Sequence, residues 1–301
     1  MGPLVTLWLV WGSTYMGIGL MVKSMPPLLG SGSRFITASL VLGSMVLLVK
    51  GPAAFNVTWA QVRGAATMGV TILGFSIGIL SLALRYVPSG IAALIVSAMP
   101  LWIIFFRVRG GDRPSRLTLV GVGVGLLGLV LMLLPGGTAP VNGASGSQVA
   151  LWSVAIAFGS FSWAFFSFRS TRIEQPKEPL TTAVIELLAA GLFLCIVGAL
   201  IGERWDFGAI TQQSWAGWGY LVLASATAYG AFVWLLNNAP MSLLATYAYV
   251  NPVVAVFLGF VILNEVVTSD VIVGLSIVVG GVVLVVSGER RTRLKLNEQP
   301  Q

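Results

Sequence analysis

The sequence contains no histidine, a single cysteine and few charged residues. Without histidine, the chain lacks the commonest general base and metal ligand. Its one cysteine, Cys195, lies inside an apolar run, so a disulfide framework and a cysteine-based zinc site are excluded. These absences argue against an enzyme active site and against a bound metal or cofactor, although chemistry based on carboxylates alone stays open. We therefore expect a protein that is not an enzyme.

Charged residues make up only 9% of the 301 residues, whereas 56% are apolar and the mean hydropathy is +0.92. A soluble domain carries about 25% charged residues, so most of this chain must be solvated by lipid. The net charge of +7 comes from short basic clusters between apolar runs. Such clusters are typical of residues that orient a membrane protein, and we expect no nucleic acid as a partner.

Ten apolar runs are long enough for transmembrane helices, which need about 20 residues each. We predict an all-α polytopic membrane protein with ten transmembrane helices. Their expected bounds are Pro3–Val22, Leu28–Val49, Ala60–Leu84, Pro88–Phe106, Leu117–Leu134, Val149–Phe168, Leu180–Ile201, Trp215–Leu236, Met241–Leu263 and Val267–Ser287. The first run has neither a basic segment nor a cleavage site beside it, so we expect a retained helix and not a signal peptide.

The basic residues predict the topology of these ten spans. If the C-terminus is cytoplasmic, thirteen basic residues lie on that side and three on the other, which is a clear positive-inside bias. The thirteen are Lys50, Arg63, Arg107, Arg109, Arg113, Arg116, Arg169, Arg172, Lys177, Arg290, Arg291, Arg293 and Lys295, and the three are Lys23, Arg85 and Arg204. We therefore predict a multi-pass protein of the cytoplasmic (inner) membrane with both termini in the cytoplasm.

A constant offset of 152 residues superposes several features of the two halves. The matched pairs are Trp11 and Trp163, Pro27 and Pro179, Pro88 and Pro240, Pro100 and Pro252, and Gly128 and Gly280. We predict a first five-helix repeat over residues 1–136, a second over residues 149–288 and a basic cytoplasmic tail over residues 289–301. The connection Pro135–Gln148, rich in small residues, would link the halves. Because five is odd, the repeats must be inverted, as in alternating-access transporters.

Four segments resemble the EamA-type branch of the drug/metabolite transporter superfamily. They are Trp11–Tyr15 (WGSTY), Pro26–Phe35 (PPLLGSGSRF), Leu84–Trp102 (LRYVPSGIAALIVSAMPLW) and Ala245–Val256 (ATYAYVNPVVAV). The resemblance covers essentially the whole chain and implies ten helices in two inverted halves. It also implies transport, since characterised members include exporters of amino acids and other small metabolites. The small multidrug-resistance relatives carry a glutamate on the first helix, which this chain lacks; that weakens an interpretation as a proton-coupled exporter of cationic drugs.

Polar and aromatic residues inside the runs are candidates for a substrate site. Trp11 and Tyr15 are four residues apart and share a helix face, and Trp163 with Ser160 would form the opposite wall. Ordinary packing is the alternative for each aromatic residue. The predicted substrate-binding residues are Trp11, Ser13, Thr14, Tyr15, Phe75, Ser97, Trp163, Tyr229, Tyr247 and Asn251. Ser76 and Ser225 are further positions that would complete the lining.

Pro100 and Pro252 are predicted hinges. Each lies about 18 Å into its span, and each leaves the carbonyl four residues earlier, at Val96 and Ala248, without a helical partner. Unsatisfied backbone at that depth is tolerated only against protein or water, which favours a neighbouring polar cavity. A purely structural kink is the alternative.

Arg34 and Glu186 are the embedded ionisable residues other than tyrosine, and such residues are functional candidates. Each lies seven residues after its proline, but the inverted topology places Arg34 about 10 Å from the outer face and Glu186 about 10 Å from the inner face. We therefore do not expect them to form an ion pair. Arg34 could instead reach the lipid head groups. Glu186 is the better candidate for coupling to protons.

These features predict a secondary-active transporter, most simply an exporter, of a small metabolite such as an amino acid. It would work by alternating access around a midplane cavity. The sequence contains no Gly-rich Lys-Ser/Thr phosphate loop, so a gradient of substrate or ions would drive it. The expected partners are a small-molecule substrate, the lipid bilayer and protons as a coupling ion. The alternatives are a non-transporting membrane scaffold, an exporter of amphipathic drugs and a lipid-modifying membrane enzyme.

Overall fold

The computed structural model describes residues 2–111, 114–133, 143–238 and 247–297. Within these ranges every regular element is a helix. Several predicted features lie outside the described residues in whole or part. They are Arg113, Leu134 at the end of the fifth run, residues 135–142 of the expected linker, Pro240, residues 241–246 at the start of the ninth run, and residues 298–301 of the expected tail.

The helices are numbered here along the chain. They are α1 (Gly2–Thr6, a π-helical turn Leu7–Trp11, and Gly12–Met21), α2 (Pro27–Lys50), α3 (Trp59–Met68, a π-helical segment Gly69–Phe75, and Ser76–Ala83), α4 (Ser89–Ser97), α5 (Met99–Arg109), α6 (Arg116–Leu133), α7 (Gly146–Arg169), α8 (Pro179–Leu200), α9 (Gln212–Asn238), α10 (Tyr247–Leu263) and α11 (Ser269–Asn297). Helix α11 continues to Asn297, through most of the segment expected as a basic tail.

Six of these helices, α1, α2, α3, α7, α8 and α11, are long and apolar enough to cross a membrane. Shorter apolar stretches cover Arg116–Gly128 in α6 and Val250–Leu263 in α10. Large apolar side chains point outward from the bundle; Leu48 is 86% exposed and Leu200 is 80% exposed. Such a surface suits contact with lipid, where apolar exposure carries no cost.

Local sequence signals explain where several helices begin. Pro27 and Pro179 lie in the first turns of α2 and α8, where proline has the right φ and no amide is missed. Thr58 and Ser145 precede α3 and α7, and each forms a capping box with the glutamine three residues later. These signals set helix starts that the hydropathy pattern alone leaves uncertain.

Carboxylates from later loops cap the starts of two earlier helices. Glu203 accepts hydrogen bonds from the amides of Leu28 and Leu29 at 3.0 and 2.8 Å. Glu265 accepts from the Ser89 amide at 2.7 Å and from the Ser89 hydroxyl at 2.9 Å. Burial raises the pKa of Glu265, while the bonds from Ser89 oppose that rise. Both acids satisfy amides that a helix leaves unpaired and complement its positive end.

Glycines allow the closest helix crossings. A Cβ atom at Gly32 of α2 would lie 2.8 Å from the carbonyl oxygen of Gly191 in α8. A Cβ atom at Gly121 of α6 would lie 2.7 Å from the carbonyl oxygen of Gly281 in α11. No side chain fits at these distances, so the backbones touch, as small residues permit in membranes.

The remaining packing surrounds the centre of the bundle. Helix α1 packs against α9 and α10, and helix α7 packs against α3, α4 and α5. Helix α9 also contacts α2, α8 contacts α3, and α10 contacts α4. Between α1, α3, α4, α7, α10 and the start of α5 the helices leave a cavity, and most of the predicted substrate-binding residues line it.

Candidate functional site

The cavity combines aromatic rings, hydroxyl groups and one amide. Its lining consists of Trp11, Thr14, Tyr15, Ser76, Ile77, Leu80, Ala93, Val96, Ser97, Met99, Ile156, Ser160, Trp163, Tyr247 and Asn251. These residues come from both halves of the chain and from widely separated positions in the sequence. A pocket of this composition can hold an amphipathic molecule, because apolar walls bind its carbon skeleton while a few polar groups orient it.

Seven of the ten predicted substrate-binding residues line this cavity. They are Trp11, Thr14, Tyr15, Ser97, Trp163, Tyr247 and Asn251. The Trp11 and Tyr247 rings stack at a centroid distance of 5.4 Å and an interplanar angle of 11°. With its nitrogen facing the backbone, the Asn251 amide donates to the carbonyl oxygens of Trp8 and Tyr247, both at 3.2 Å.

The hydroxyl groups in the cavity differ in what they bind. Thr14 donates to the Trp11 carbonyl at 2.6 Å, and Ser97 donates to the Leu94 carbonyl at 2.7 Å. Ser76 donates across to the Gly159 carbonyl of α7 at 2.8 Å. The Ser160 hydroxyl, in contrast, is buried and has no hydrogen-bond partner among the described residues. It is therefore a ready donor or acceptor for a bound molecule.

Three predicted residues lie elsewhere. Ser13 donates to the carbonyls of Leu9 and Val10 at 2.6 and 2.9 Å, and its hydroxyl also bonds to that of Tyr220 on α9. Phe75 packs edge-on against Phe158 of α7 with centroids 5.9 Å apart. Tyr229 donates to Glu186 at 2.5 Å. These three stabilise contacts around the cavity and do not form its wall.

The apolar part of the lining was missing from the sequence-based set. It consists of Ile77, Leu80, Ala93, Val96, Met99 and Ile156. A usable signal existed for half of them, because Leu80, Ala93 and Ile156 each lie four residues from a cavity serine. Residues four apart share a helix face, so the serines indicate which apolar neighbours face inward.

The two predicted hinge prolines lie in different helix geometries. The helix is interrupted at Ala98, between α4 and α5, and Pro100 lies in the first turn of α5. Pro252, in contrast, lies inside the continuous helix α10. Both places adjoin the cavity, since the lining residues Ser97 and Asn251 immediately precede the break at Ala98 and Pro252, respectively.

Arg34 and Glu186 form a second polar region, between α2, α8 and α9. Arg34 is 3% exposed and donates to the Ser225 hydroxyl at 3.1 Å, and its guanidinium lies 4.2 Å from the centre of the Phe35 ring. It therefore stays inside the bundle and does not reach the head groups. Glu186 is 8% exposed and accepts from Tyr229.

No ion pair joins Arg34 and Glu186 in the part of the chain that the structure describes. Their hydrogen-bond partners Ser225 and Tyr229 lie four residues apart on α9, which is about one helical turn.

An aromatic cluster lies between α5 and α7, beside the cavity. Trp102 and Phe161 pack edge-on with centroids 5.4 Å apart, and Phe106 lies 5.0 Å from Phe161 and 5.3 Å from Phe165. The contact between α1 and α10 contains the stacked rings of Trp11 and Tyr247 and, beside them, a very close approach of smaller groups. A Cβ atom at Gly12 would lie 2.8 Å from the Val254 Cβ atom.

Comparison with known proteins agrees with this architecture. The model of the EamA-like transporter family matches residues 4–134 and residues 150–287. An uncharacterized inner membrane transporter of Escherichia coli K12, YedA, is 36% identical over 96% of this chain and 90% of its own length. The threonine/homoserine exporter RhtA of E. coli K12 is 28% identical over 92% of this chain and 88% of its own length.

A crystal structure of another protein has the same fold. It superposes with a TM-score of 0.65 at 18% sequence identity, covering 96% of this chain and 97% of that one. This likeness concerns the arrangement of the helices along the whole chain.

Proposed function

The chain belongs to the EamA-like transporter family, and on that premise we propose that it exports a small amino acid or a similar metabolite across the cytoplasmic membrane. The convergence of rings, hydroxyls and the Asn251 amide on one interior cavity carries this proposal. The relationship to RhtA supports amino acids as the first substrates to test, and the relationship to the inner membrane transporter YedA supports the location.

The proposed architecture is ten spans in two inverted five-helix repeats, with α4 and α5 as one broken span. An offset of 152 residues relates α1 to α7, α2 to α8, α3 to α9, α4–α5 to α10 and α6 to α11. The helix contacts follow the same rule: α1 packs on α9 as α7 packs on α3, and α2 packs on α9 as α8 packs on α3. The pairs α2–α8 and α6–α11 join equivalent helices. The positive-inside bias supports cytoplasmic termini.

The proposed mechanism is rocking of the two halves around the cavity. Trp11, Tyr247 and Trp163 would hold the apolar part of the substrate, while Ser160 and Asn251 bind its charged ends. The helix break before Pro100 and the proline inside α10, Pro252, would absorb the motion. A substrate or ion gradient would supply the energy.

Counterflow of labelled threonine in proteoliposomes tests the proposal. We expect wild-type protein to exchange external label for internal threonine, and Trp11→Ala and Asn251→Ala each to lower the initial rate at least tenfold, because each removes a group that contacts the substrate. Trp59→Ala is the matched control, since Trp59 is 73% exposed and far from the cavity.

Two results would count against the proposal. Absence of counterflow with a panel of amino acids would favour a scaffold. Wild-type rates in the correctly folded Trp11 and Asn251 variants would place the substrate elsewhere.

A further inference from the structure

We propose that Glu186 binds the coupling proton and that Arg34 competes with this proton for the Glu186 carboxylate. This inference rests on the proposed transport function and adds the driving ion and its site. It follows from how the two groups are buried and which hydrogen bonds they make.

Glu186 is buried inside a helix of a membrane protein and accepts one hydrogen bond, from Tyr229. A carboxylate anion in such a place needs a cation or several donors, because removing a charge from water costs several kcal/mol. Within the described residues it has no cation within ion-pair distance. The neutral, protonated carboxyl group has the lower desolvation free energy in this environment, so it is the favoured form.

Arg34 lacks partners in a complementary way, as a buried cation. Its Nη1 donates to Ser225, but its buried Nε has no partner among the described residues. Arginine stays charged in proteins, and within the described residues no carboxylate forms an ion pair with this buried cation. The hydrogen-bond partners of Arg34 and Glu186, which are Ser225 and Tyr229, lie about one helical turn apart on α9. An anionic Glu186 would therefore attract Arg34.

Few other ionisable groups can take part. On α9, Tyr229 bonds to Glu186, whereas Tyr220 bonds to Ser13. Arg63 on α3 is exposed near the start of that helix. The remaining groups on α2 and α8 lie at a distance: Lys50 pairs with Glu178 at the helix ends, at 2.7 Å, and Cys195 lies against Gly32. Arg34 and Tyr229 are thus the ionisable partners that Glu186 can exchange.

Helix α3 connects this region to the cavity. A Cβ atom at Gly69 would lie 2.3 Å from the Glu186 carbonyl oxygen, so the two backbones touch. The π-helical segment Gly69–Phe75 begins there and ends next to Ser76, which lines the cavity. π-Helical turns often mark functional sites and rearrange locally. A shift of α8 at Glu186 would therefore reach the substrate site.

The proposed step is a simple proton exchange. The O–H bond of Glu186 breaks, and the proton passes to water on the side to which the protein is open. The carboxylate then draws Arg34 away from Ser225 and pairs with it. Because α2 and α8 belong to different halves, forming this ion pair changes how the halves pack. Proton uptake from the other side reverses the step.

The first test is threonine flux in proteoliposomes with and without an imposed pH gradient. We expect the gradient to accelerate wild-type flux several-fold and the ratio of the two rates to fall to about one in Glu186→Gln. Glu174→Gln is the matched control, since Glu174 is an exposed glutamate near the start of α8, and it should keep the wild-type ratio. A Glu186→Gln protein with the wild-type ratio would overturn the proposal.

The second test needs no transport. Infrared spectra of purified protein should show the absorption of a protonated carboxyl group at neutral pH, and this band should be absent from Glu186→Gln. Arg34→Met should keep the band in alkaline buffer where the wild type has lost it, because the competing cation is gone. A wild-type spectrum without the band, or a band that survives in Glu186→Gln, would overturn the assignment. If threonine is not transported but the band behaves as expected, the substrate proposal fails and the proton site stands.

Discussion

The contact of α1 with α10 and the contact of α7 with α5 are equivalent under the proposed repeat, yet the two are packed differently. The first includes the stacked rings of Trp11 and Tyr247, and it also brings Gly12 so close to Val254 that no side chain would fit there. The second is filled by the rings of Trp102, Phe106 and Phe161. A contact without spare volume accepts a larger residue only if the helices move apart, whereas rings can rotate and repack. We therefore expect a larger residue at Gly12 to be tolerated poorly, and the loss of a ring between α5 and α7 to be tolerated better.

The largest expected effect comes from filling the tight contact. We predict that Gly12→Val lowers the free energy of unfolding by about 3 kcal/mol, because overpacking forces the helices apart, and that threonine counterflow is lost with it. Gly123→Val is the matched control, since a Cβ atom at exposed Gly123 meets nothing within 4 Å. Unfolding in mixed detergent micelles measures the stability of both variants, and counterflow in proteoliposomes measures their transport. Equal stability of the two variants would show that the α1–α10 contact is not tight.

A smaller loss is expected from emptying the aromatic contact. Phe106→Ala should lower the free energy of unfolding by about 2 kcal/mol, less than for a fully buried ring, because Phe106 is only half-buried. Phe260→Ala, at a ring that is 59% exposed, should cost under about 0.5 kcal/mol. If the Phe106 variant cost more than Gly12→Val, the comparison between the two contacts would be reversed.

Double-mutant cycles on one ring pair from the α1–α10 contact and one from the α5–α7 contact should give similar, modest coupling energies. The stacked pair Trp11–Tyr247 and the edge-on pair Trp102–Phe161 should each yield about 0.5–1.5 kcal/mol. With added threonine, we expect the Trp11–Tyr247 coupling energy to change and the Trp102–Phe161 coupling energy to stay constant. The reason is that Trp11 and Tyr247 line the cavity, whereas Trp102 and Phe161 do not. Unfolding measurements on the single and double variants give both values. A constant value for both pairs would remove Trp11 and Tyr247 from the substrate site.

The smallest effects distinguish two serines. Ser13→Ala should cost about 1 kcal/mol, since it leaves the Tyr220 hydroxyl without this bond. Ser160→Ala should cost nothing and raise the KM for threonine, because the Ser160 hydroxyl has no partner in the described part of the protein. Thermal unfolding measures the stability of the two variants, and counterflow at varied threonine concentration measures their KM. A destabilised Ser160→Ala protein with an unchanged KM would show that this hydroxyl is structural.

Helix starts and the cavity position were accessible from the sequence because they depend on local or repeated signals. Proline, capping residues and hydropathy mark the spans, and the 152-residue offset led to Trp163 and Asn251. Even the location of Ser13 was accessible, since residues two apart do not share a helix face and Trp11 already defined the cavity face of α1.

The pairing of Glu186 with Tyr229 was not accessible, because it joins two helices whose relative rotation no local pattern records. The bond from Arg34 to Ser225 on the same helix was hidden for the same reason. The aromatic cluster was also hidden, since phenylalanine in an apolar helix looks the same whether it faces lipid or a neighbouring helix.

The caps supplied by Glu203 and Glu265 have a consequence for biosynthesis. Each acid satisfies the first amides of a helix that was made long before it, since α2 precedes Glu203 and α4 precedes Glu265 in the chain. Until the ribosome has added these acids, the amides have no carboxylate partner and can bond only to water or lipid head groups. A chain terminated before Glu203 therefore displays two uncapped helix starts, and one terminated between Glu203 and Glu265 displays one, which sets both apart from the finished protein.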